Sequence, residues 1–287
     1  MKKLFAYVRL FRIEHALMLV FAVLFAEFLA AGADGIPLPA PAIILLSLCV
    51  PLFIEMGSFS LNDYFDVKTD KANKRLDRPI AAGEISPKTA LVASAVAYAI
   101  GIAASLALPA PCIEIAVVFA ALSILYDWKL KDLPLLGNAY IASSMAIPFL
   151  FGGLVVSETL HPALLAIAGV AAVAGLGREI IKSVEDVEGD VKHRKSRTLP
   201  AVIGKANAAG VAAACYFLLV PLSFAPFFFG LKMNTLALGL VLITALAFAV
   251  MGYSVAKDQG KAVLEPARKA SLLSLGVGLL GYAAALI

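Results

Sequence analysis

Runs of about 20 apolar residues, each long enough to cross a hydrocarbon core, recur along almost the whole of this chain. They fall near residues 13–32, 40–61, 87–108, 111–127, 135–156, 161–182, 204–229, 233–255 and 266–286, separated by charged or Pro/Gly-marked connectors. Inside lipid every backbone N–H and C=O must find a partner within the protein, and single runs of this length achieve that as helices. Of the 287 residues, 61% are hydrophobic and 15% charged, with a mean hydropathy of +0.91, which leaves little material for a water-soluble domain. The expected fold is therefore all-α: a single polytopic membrane domain over residues 1–287, with nine transmembrane helices around a central cavity.

Positive charge orders these spans. Of 24 Lys and Arg residues, only Lys232 falls on the side opposite to the rest under a nine-span topology, and one added or lost span in the middle would scramble that asymmetry. The expectation is a multi-pass cell-membrane protein with its N-terminus cytoplasmic and its C-terminus external. The first thirty residues resemble a secretory leader, with Lys2, Lys3 and small residues around Ala30 to Ala33, but they read as a retained first span behind an amphipathic lead-in carrying Arg9, Arg12, Glu14 and His15. The net charge of +4 does not indicate nucleic acid, because the basic residues sit in short connectors and not on a solvated face with exposed aromatics. Cys49, Cys112 and Cys215 lie in or beside apolar runs without metal or redox spacing and read as packing residues.

External connectors such as Leu108-Pro109-Ala110-Pro111 are short and nearly uncharged, whereas the connectors after the second and sixth spans are long and rich in both charges. Chemistry is expected on the cytoplasmic side. The same placement divides the chain into two four-helix pseudo-repeats plus a ninth helix, a repeat of position and not of sequence identity.

The first acidic segment is Asn62-Asp63-Tyr64-Phe65-Asp66-Val67-Lys68-Thr69-Asp70, and helical spacing puts Asn62, Asp66 and Asp70 on one face with Asp63 beside it. The second runs from Arg178 to Asp190, where Glu179, Asp186 and Asp190 share a stripe with Lys182. Carboxylates stacked in this way repel one another unless a cation lies between them. Mg²⁺ suits the pattern, since it is held by a few carboxylates together with water and substrate phosphate oxygens. Lys74, Arg75 and Arg78 follow the first motif, Lys129 and Lys131 lie between the two, and Arg194, Lys195 and Arg197 follow the second. Such a mixture matches a metal-bound diphosphate better than a simple cation site. A solvated charged loop would account for one acidic cluster alone, though less readily for two with helical spacing.

These motifs resemble those of the UbiA superfamily of intramembrane prenyltransferases, in which Asn62, Asp63, Asp66 and Asp70 match the pattern N-D-x-x-D-x-x-x-D, followed by Arg78-Pro79-Ile80 and Gly83. Tyr126-Asp127-Trp128-Lys129-Leu130-Lys131 is similar to the family's segment after the fourth span. Glu179, Asp186 and Asp190 stand at the second motif, with Glu in place of the commoner first Asp. The resemblance implies Mg²⁺-dependent transfer of a prenyl group, of geranylgeranyl size, from a polyprenyl diphosphate to a lipophilic acceptor within the bilayer. It implies that Asn62, Asp66, Asp186 and Asp190 hold Mg²⁺ with Asp63 and Asp70 in support, and that Arg78, Lys129, Lys131 and Lys182 neutralise the diphosphate. Tyr126 and Tyr64 are the rings placed to face an allylic cation.

Glu179 reads equally as a base for the acceptor and as an ion-pair partner of Arg178 and Lys182. Glu55, shortly before the first motif, is expected at the cavity, whereas Glu27 and Glu114 belong near the opposite interface or are protonated. His15, His161 and His193 form no ligand set, and His15 is the one placed near the site. For the acceptor, the run from Arg178 to Thr198-Leu199-Pro200 and the stretch Asp77-Arg78-Pro79-Ile80 resemble the archaeal digeranylgeranylglyceryl phosphate synthase branch of the superfamily, with Arg194, Lys195 and Arg197 available to an acceptor phosphate. Arg12-Ile13-Glu14-His15-Ala16-Leu17 looks more like members that prenylate aromatic rings in quinone biosynthesis, so both acceptors stay open. A cation-coupled transporter would place its ionisable residues near the bilayer midplane, unlike these motifs.

Overall fold

The computed structural model describes residues 2–72, 74–189 and 197–287, and no strand occurs among them. A short helix, α1 (Lys2–Phe11), precedes the bundle. It is followed by α2 (Ile13–Asp34), α3 (Pro41–Ala72), α4 (Pro87–Ser105), α5 (Ala110–Trp128), α6 (Leu136–Val156) and α7 (Pro162–Gly189). The second half continues with α8 (Leu199–Ile203), α9 (Lys205–Leu222), α10 (Ala225–Phe228), α11 (Thr235–Lys257) and α12 (Lys261–Ala284). The amphipathic lead-in is a helix in its own right. Arg12 adopts a left-handed conformation with φ of 42° between α1 and α2, and Ala6 and Leu10 of α1 pack with Ile80, Ile85 and Ala90.

Eight of these helices are long and apolar enough to cross a membrane. The last apolar run lies on α12, whose opening turns carry Lys261, Glu265, Arg268 and Lys269 and lower its hydropathy. Geometry places α12 along the full height of the bundle all the same. Arg268 near its start bonds Glu185 of α7, and the carbonyl of Ala284 at its end accepts from Asn234, the residue that caps the opposite end of α11.

The helices follow from local sequence. Ser86 caps α4 by accepting from the Thr89 N–H, with Pro87 in the first turn, where a missing N–H costs nothing. Asn234 caps α11 in the same way through Ala237. Helices approach one another closely where small residues face a neighbour. A Cβ added at Gly152 of α6 would stand 2.5 Å from the Val23 carbonyl oxygen of α2, and one at Gly101 of α4 would meet Ile54 of α3 at 2.9 Å. Leu, Val and Phe side chains left exposed on α2, α4, α11 and α12 face outward, as expected where the surroundings are lipid.

The two pseudo-repeats are α2–α5 and α6, α7, α9, α11, with α12 appended. In each, the second helix is the longest. At 32 residues α3 extends about 48 Å and α7, at 28 residues, about 42 Å, against roughly 30 Å of hydrocarbon. The excess in both carries the acidic motif past the same end of the bundle. Glu27 lies toward the other end, fully buried and accepting a hydrogen bond from Ser47, while Glu114 is exposed on α5, just past its first turn.

Candidate active site

The C-terminal ends of α3, α5 and α7 and the start of α12 converge around a cavity of about 510 Å³. Its wall carries six cations, Arg12, Arg75, Arg78, Lys131, Lys182 and Arg268, and six carboxylates, Glu55, Asp66, Asp70, Asp127, Glu185 and Asp186. Asn62 and Thr69 lie among them, so the predicted face of Asn62, Asp66 and Asp70 is the face turned to the cavity. Arg78, Tyr126, Lys131, Lys182 and Asp186 also line it.

The charges are cross-linked between helices. Lys131 lies 2.7 Å from Asp66 and 3.8 Å from Asp127, while Asn62 donates to Asp127 at 2.6 Å. Arg268 reaches Glu185 at 2.8 Å. Tyr126 stacks on Tyr140 with ring centroids 4.9 Å apart, and both rings reach the cavity wall. Arg12 stands 4.3 Å above the Phe59 ring.

Several expected residues occupy other positions. Asp63 is buried behind the wall, with Oδ1 accepting from Arg12 at 2.8 Å and from Arg78 at 2.7 Å, so it orients two cavity cations and does not face the cavity itself. Glu179 is held by Arg178 at 2.5 Å and Lys182 at 3.4 Å, an ion pair, and borders a side pocket of about 100 Å³ that also contains Lys131, Lys182 and Asp186. Lys129 is exposed and outside the cavity wall, because Trp128 ends α5 and the following turn, Leu130–Asp132, aims Lys131 inward instead. Arg197 is likewise exposed, its backbone N–H bonded to the Asp132 carbonyl. Tyr64 packs with Leu61 and Tyr98, away from the cavity. His15 rests edge-on against Phe59. Asp190, His193, Arg194 and Lys195 lie outside the described residues.

Asp127, Glu185, Arg268, Arg12 and Tyr140 were not singled out as site residues by sequence reasoning. Asp127 carried a readable signal, a carboxylate at the end of an apolar span beside Tyr126, and Arg268 was a cation within the last apolar run. Neither stands in a spaced cluster, and that is why pattern reading passed over them.

Hard oxygen donors for a divalent metal are present in Asn62, Asp66, Asp70 and Asp186. Among the described residues no three His, Cys, Asp or Glu side chains are already gathered around one point. Lys131 neutralises Asp66 instead, and Asp127 Oδ2 and Glu185 Oε1 are buried without a hydrogen-bond partner among the described residues. The donor set fits Mg²⁺, which needs only one or two carboxylates when phosphate oxygens complete its shell.

A polytopic helical bundle with a charged, oxygen-rich cavity at one end and apolar walls beneath it has the architecture of an intramembrane enzyme. The chain belongs to the UbiA prenyltransferase family, whose model matches residues 19–275. It is 33% identical to a digeranylgeranylglyceryl phosphate synthase of Archaeoglobus fulgidus, covering 95% of this chain and 92% of that one. It is 31% identical to the protein of the same name from Methanopyrus kandleri, over 98% and 99% of the two chains. Among solved structures, one from a study of digeranylgeranylglyceryl phosphate synthase in membranes superposes with a TM-score of 0.81 at 26% identity, over 100% of this chain and 99% of that one. A UbiA homologue from Archaeoglobus fulgidus, solved with GPP and Mg²⁺, shares the fold with a TM-score of 0.68 at 20% identity, over 97% and 99%.

Proposed function

We propose that this prenyltransferase moves a geranylgeranyl group from its diphosphate to the free hydroxyl of a geranylgeranylglyceryl phosphate, at the cytoplasmic face of the cell membrane. The carrying observation is the cavity in which six cations and six carboxylates from both pseudo-repeats, from α12 and from the turn before α2 meet above apolar helix walls. The names of relatives matched over nearly the whole chain support the glycerolipid acceptor over an aromatic one. Positive charge concentrated at the motif end supports the cytoplasmic orientation, and the run of α12 along the bundle supports nine spans with an external C-terminus.

Asn62, Asp66 and Asp186 would hold Mg²⁺, with Asp190 from the second motif and Asp70 in support. When bound, the ion supplies charge neutralisation for the departing diphosphate. Lys131, Lys182, Arg78 and Arg12 add fixed positive charge around the same oxygens, which lowers the barrier to C–O cleavage because these groups are already oriented before reaction. Asp63 keeps the two arginines in place. The stacked Tyr126 and Tyr140 present aromatic faces to the allylic cation, each worth roughly 0.5–2 kcal/mol. Apolar helix walls accept the isoprenoid chains and exclude water. A groove of about 710 Å³, open to the surroundings between α2, α6, α7, α11 and α12, offers space for a lipid tail.

The test is transfer of radiolabelled geranylgeranyl diphosphate by purified protein to geranylgeranylglyceryl phosphate or to 4-hydroxybenzoate, with and without Mg²⁺. Mg²⁺-dependent product with the glycerol phosphate alone is expected. Product with the aromatic acid alone would overturn the acceptor assignment.

A further inference from the structure

Ether formation leaves one task unassigned: the acceptor hydroxyl must lose its proton as the new C–O bond forms. The cavity carboxylates differ in their freedom to take it. Asp127 accepts from Asn62, Asp66 is paired with Lys131, Glu185 with Arg268, and Asp70 stands 3.8 Å from Arg75. Asp186 is exposed on the metal-motif stripe. Glu179 is tied to Arg178 and Lys182, off the main cavity.

Glu55 is different. It lies on α3 seven residues before Asn62, about 10 Å deeper along the helix, and among the described residues it has no hydrogen bond or ion pair. The charges that act on it from neighbouring elements are Arg12, which precedes α2, and Asp127 of α5. It lines the charged cavity and also a separate apolar recess of about 60 Å³ between α2, α3, α5 and α6, so it marks the neck between them. Tyr140 and Ser144 of α6 line the same two spaces, and Tyr140 carries the ring stacked on Tyr126. A donor with its diphosphate among Asn62, Asp66 and Asp186 and the first carbons of its chain directed into this recess would place its reactive carbon at this neck, beside Glu55. An unpaired carboxylate at such depth is costly to keep, and it is retained where a substrate supplies its partner.

We propose that Glu55 is the proton acceptor for the prenyl transfer, facing the acceptor hydroxyl at the neck of the cavity; this rests on the hydroxyl-acceptor reading above. As the C1–O bond of the donor breaks, its electron pair leaves with the diphosphate. The acceptor oxygen bonds to C1, and its proton passes to the Glu55 carboxylate, which later returns it to water in the charged cavity.

The experiment compares wild type, Glu55→Gln and Glu55→Asp in the geranylgeranylglyceryl phosphate assay. It also measures diphosphate released to water when no acceptor is present, and thermal unfolding with and without donor as a folding control. Expected for Glu55→Gln is a kcat for ether formation lowered about 10²–10⁴-fold, with donor KM and acceptor-free diphosphate release within a few-fold of wild type. Glu55→Asp should recover part of the loss. Ether formation by Glu55→Gln at near the wild-type rate overturns the proposal, and so does equal loss of ether formation and diphosphate release, which would make Glu55 a donor-positioning residue. Failure of wild type itself to use the glycerol phosphate would instead refute the acceptor reading, a result independent of any variant.

Discussion

Asn62 of the first acidic motif donates a 2.6 Å hydrogen bond to Asp127, the penultimate residue of α5. That bond joins two helices of one pseudo-repeat and engages the Asn62 amide nitrogen, leaving its carbonyl oxygen as the atom able to ligate. Lys131 reaches the same carboxylate, so under the proposed function Asp127 would orient both a metal donor and a diphosphate cation. Asp127→Ala is expected to lower transfer 10–100-fold, the size typical for partners that orient metal ligands. A Mg²⁺ titration of activity should show the loss as a weaker apparent metal affinity.

Lys129 and Lys131 sit two residues apart, yet the turn after α5 separates their roles. Lys131 is largely buried beside Asp66, whereas Lys129 is exposed outside the cavity. Lys131→Ala should lower kcat/KM by about 10²–10³-fold, the range for removing one preoriented charge donor. Lys129→Ala should leave it within about twofold of wild type, measured in the same prenyl-transfer assay.

Asp63 is almost fully buried between Arg12 and Arg78, and each guanidinium is mostly sheltered. Removing the shared carboxylate would leave Arg12 without its ion-pair partner and Arg78 with only the exposed Asp77 at 3.7 Å, a loss of about 3–5 kcal/mol in comparable buried pairs. Asp63→Ala should therefore unfold at a clearly lower temperature in detergent, and Arg78→Ala less so, because Asp63 would keep Arg12. Thermal unfolding of the purified variants checks the order.

Much of this architecture is legible in the sequence because the bilayer leaves few choices. Spans follow from run length, and the cavity face of α3 from the spacing of Asn62, Asp66 and Asp70. The sequence does not show side-chain direction at helix ends. Asp63 falls near the motif face by spacing but turns to the arginines, and the break at Arg12 that brings one of them there is a single backbone torsion with no residue signature. Glu185 and Arg268 are 83 residues apart, and only the packing of α12 on α7 brings them together.

Close helix packing gives a stability prediction with an internal control. Gly152→Ala would place a methyl 2.5 Å from the Val23 carbonyl oxygen and 2.8 Å from the Ala26 side chain, and overpacking of this kind costs about 1–3 kcal/mol. Gly276 lies on α12 with nothing within 4 Å of an added Cβ. The same substitution there should be neutral or gain about 0.4–1 kcal/mol from a less flexible unfolded chain. Reversible unfolding in mixed detergent should separate the two.

Metal removal tests the site as a whole, because the cavity already balances its acids with fixed cations. Six carboxylates face six Lys and Arg side chains, so the protein does not need a metal to hold these acids together in the absence of substrate. Under the proposed function a diphosphate would add negative charge that the fixed cations, already paired with carboxylates, neutralise only in part, and Mg²⁺ would supply the rest. Chelation with EDTA should accordingly abolish prenyl transfer while leaving the unfolding temperature without substrate nearly unchanged. Adding donor and Mg²⁺ together should raise it, by an amount that grows with ligand concentration, and donor alone should raise it far less. Asp66→Asn with Asp186→Asn should remove that joint stabilisation. A large loss of stability on chelation alone would show instead that the metal is structural and that the lysine and arginine pairs do not hold the motifs in place.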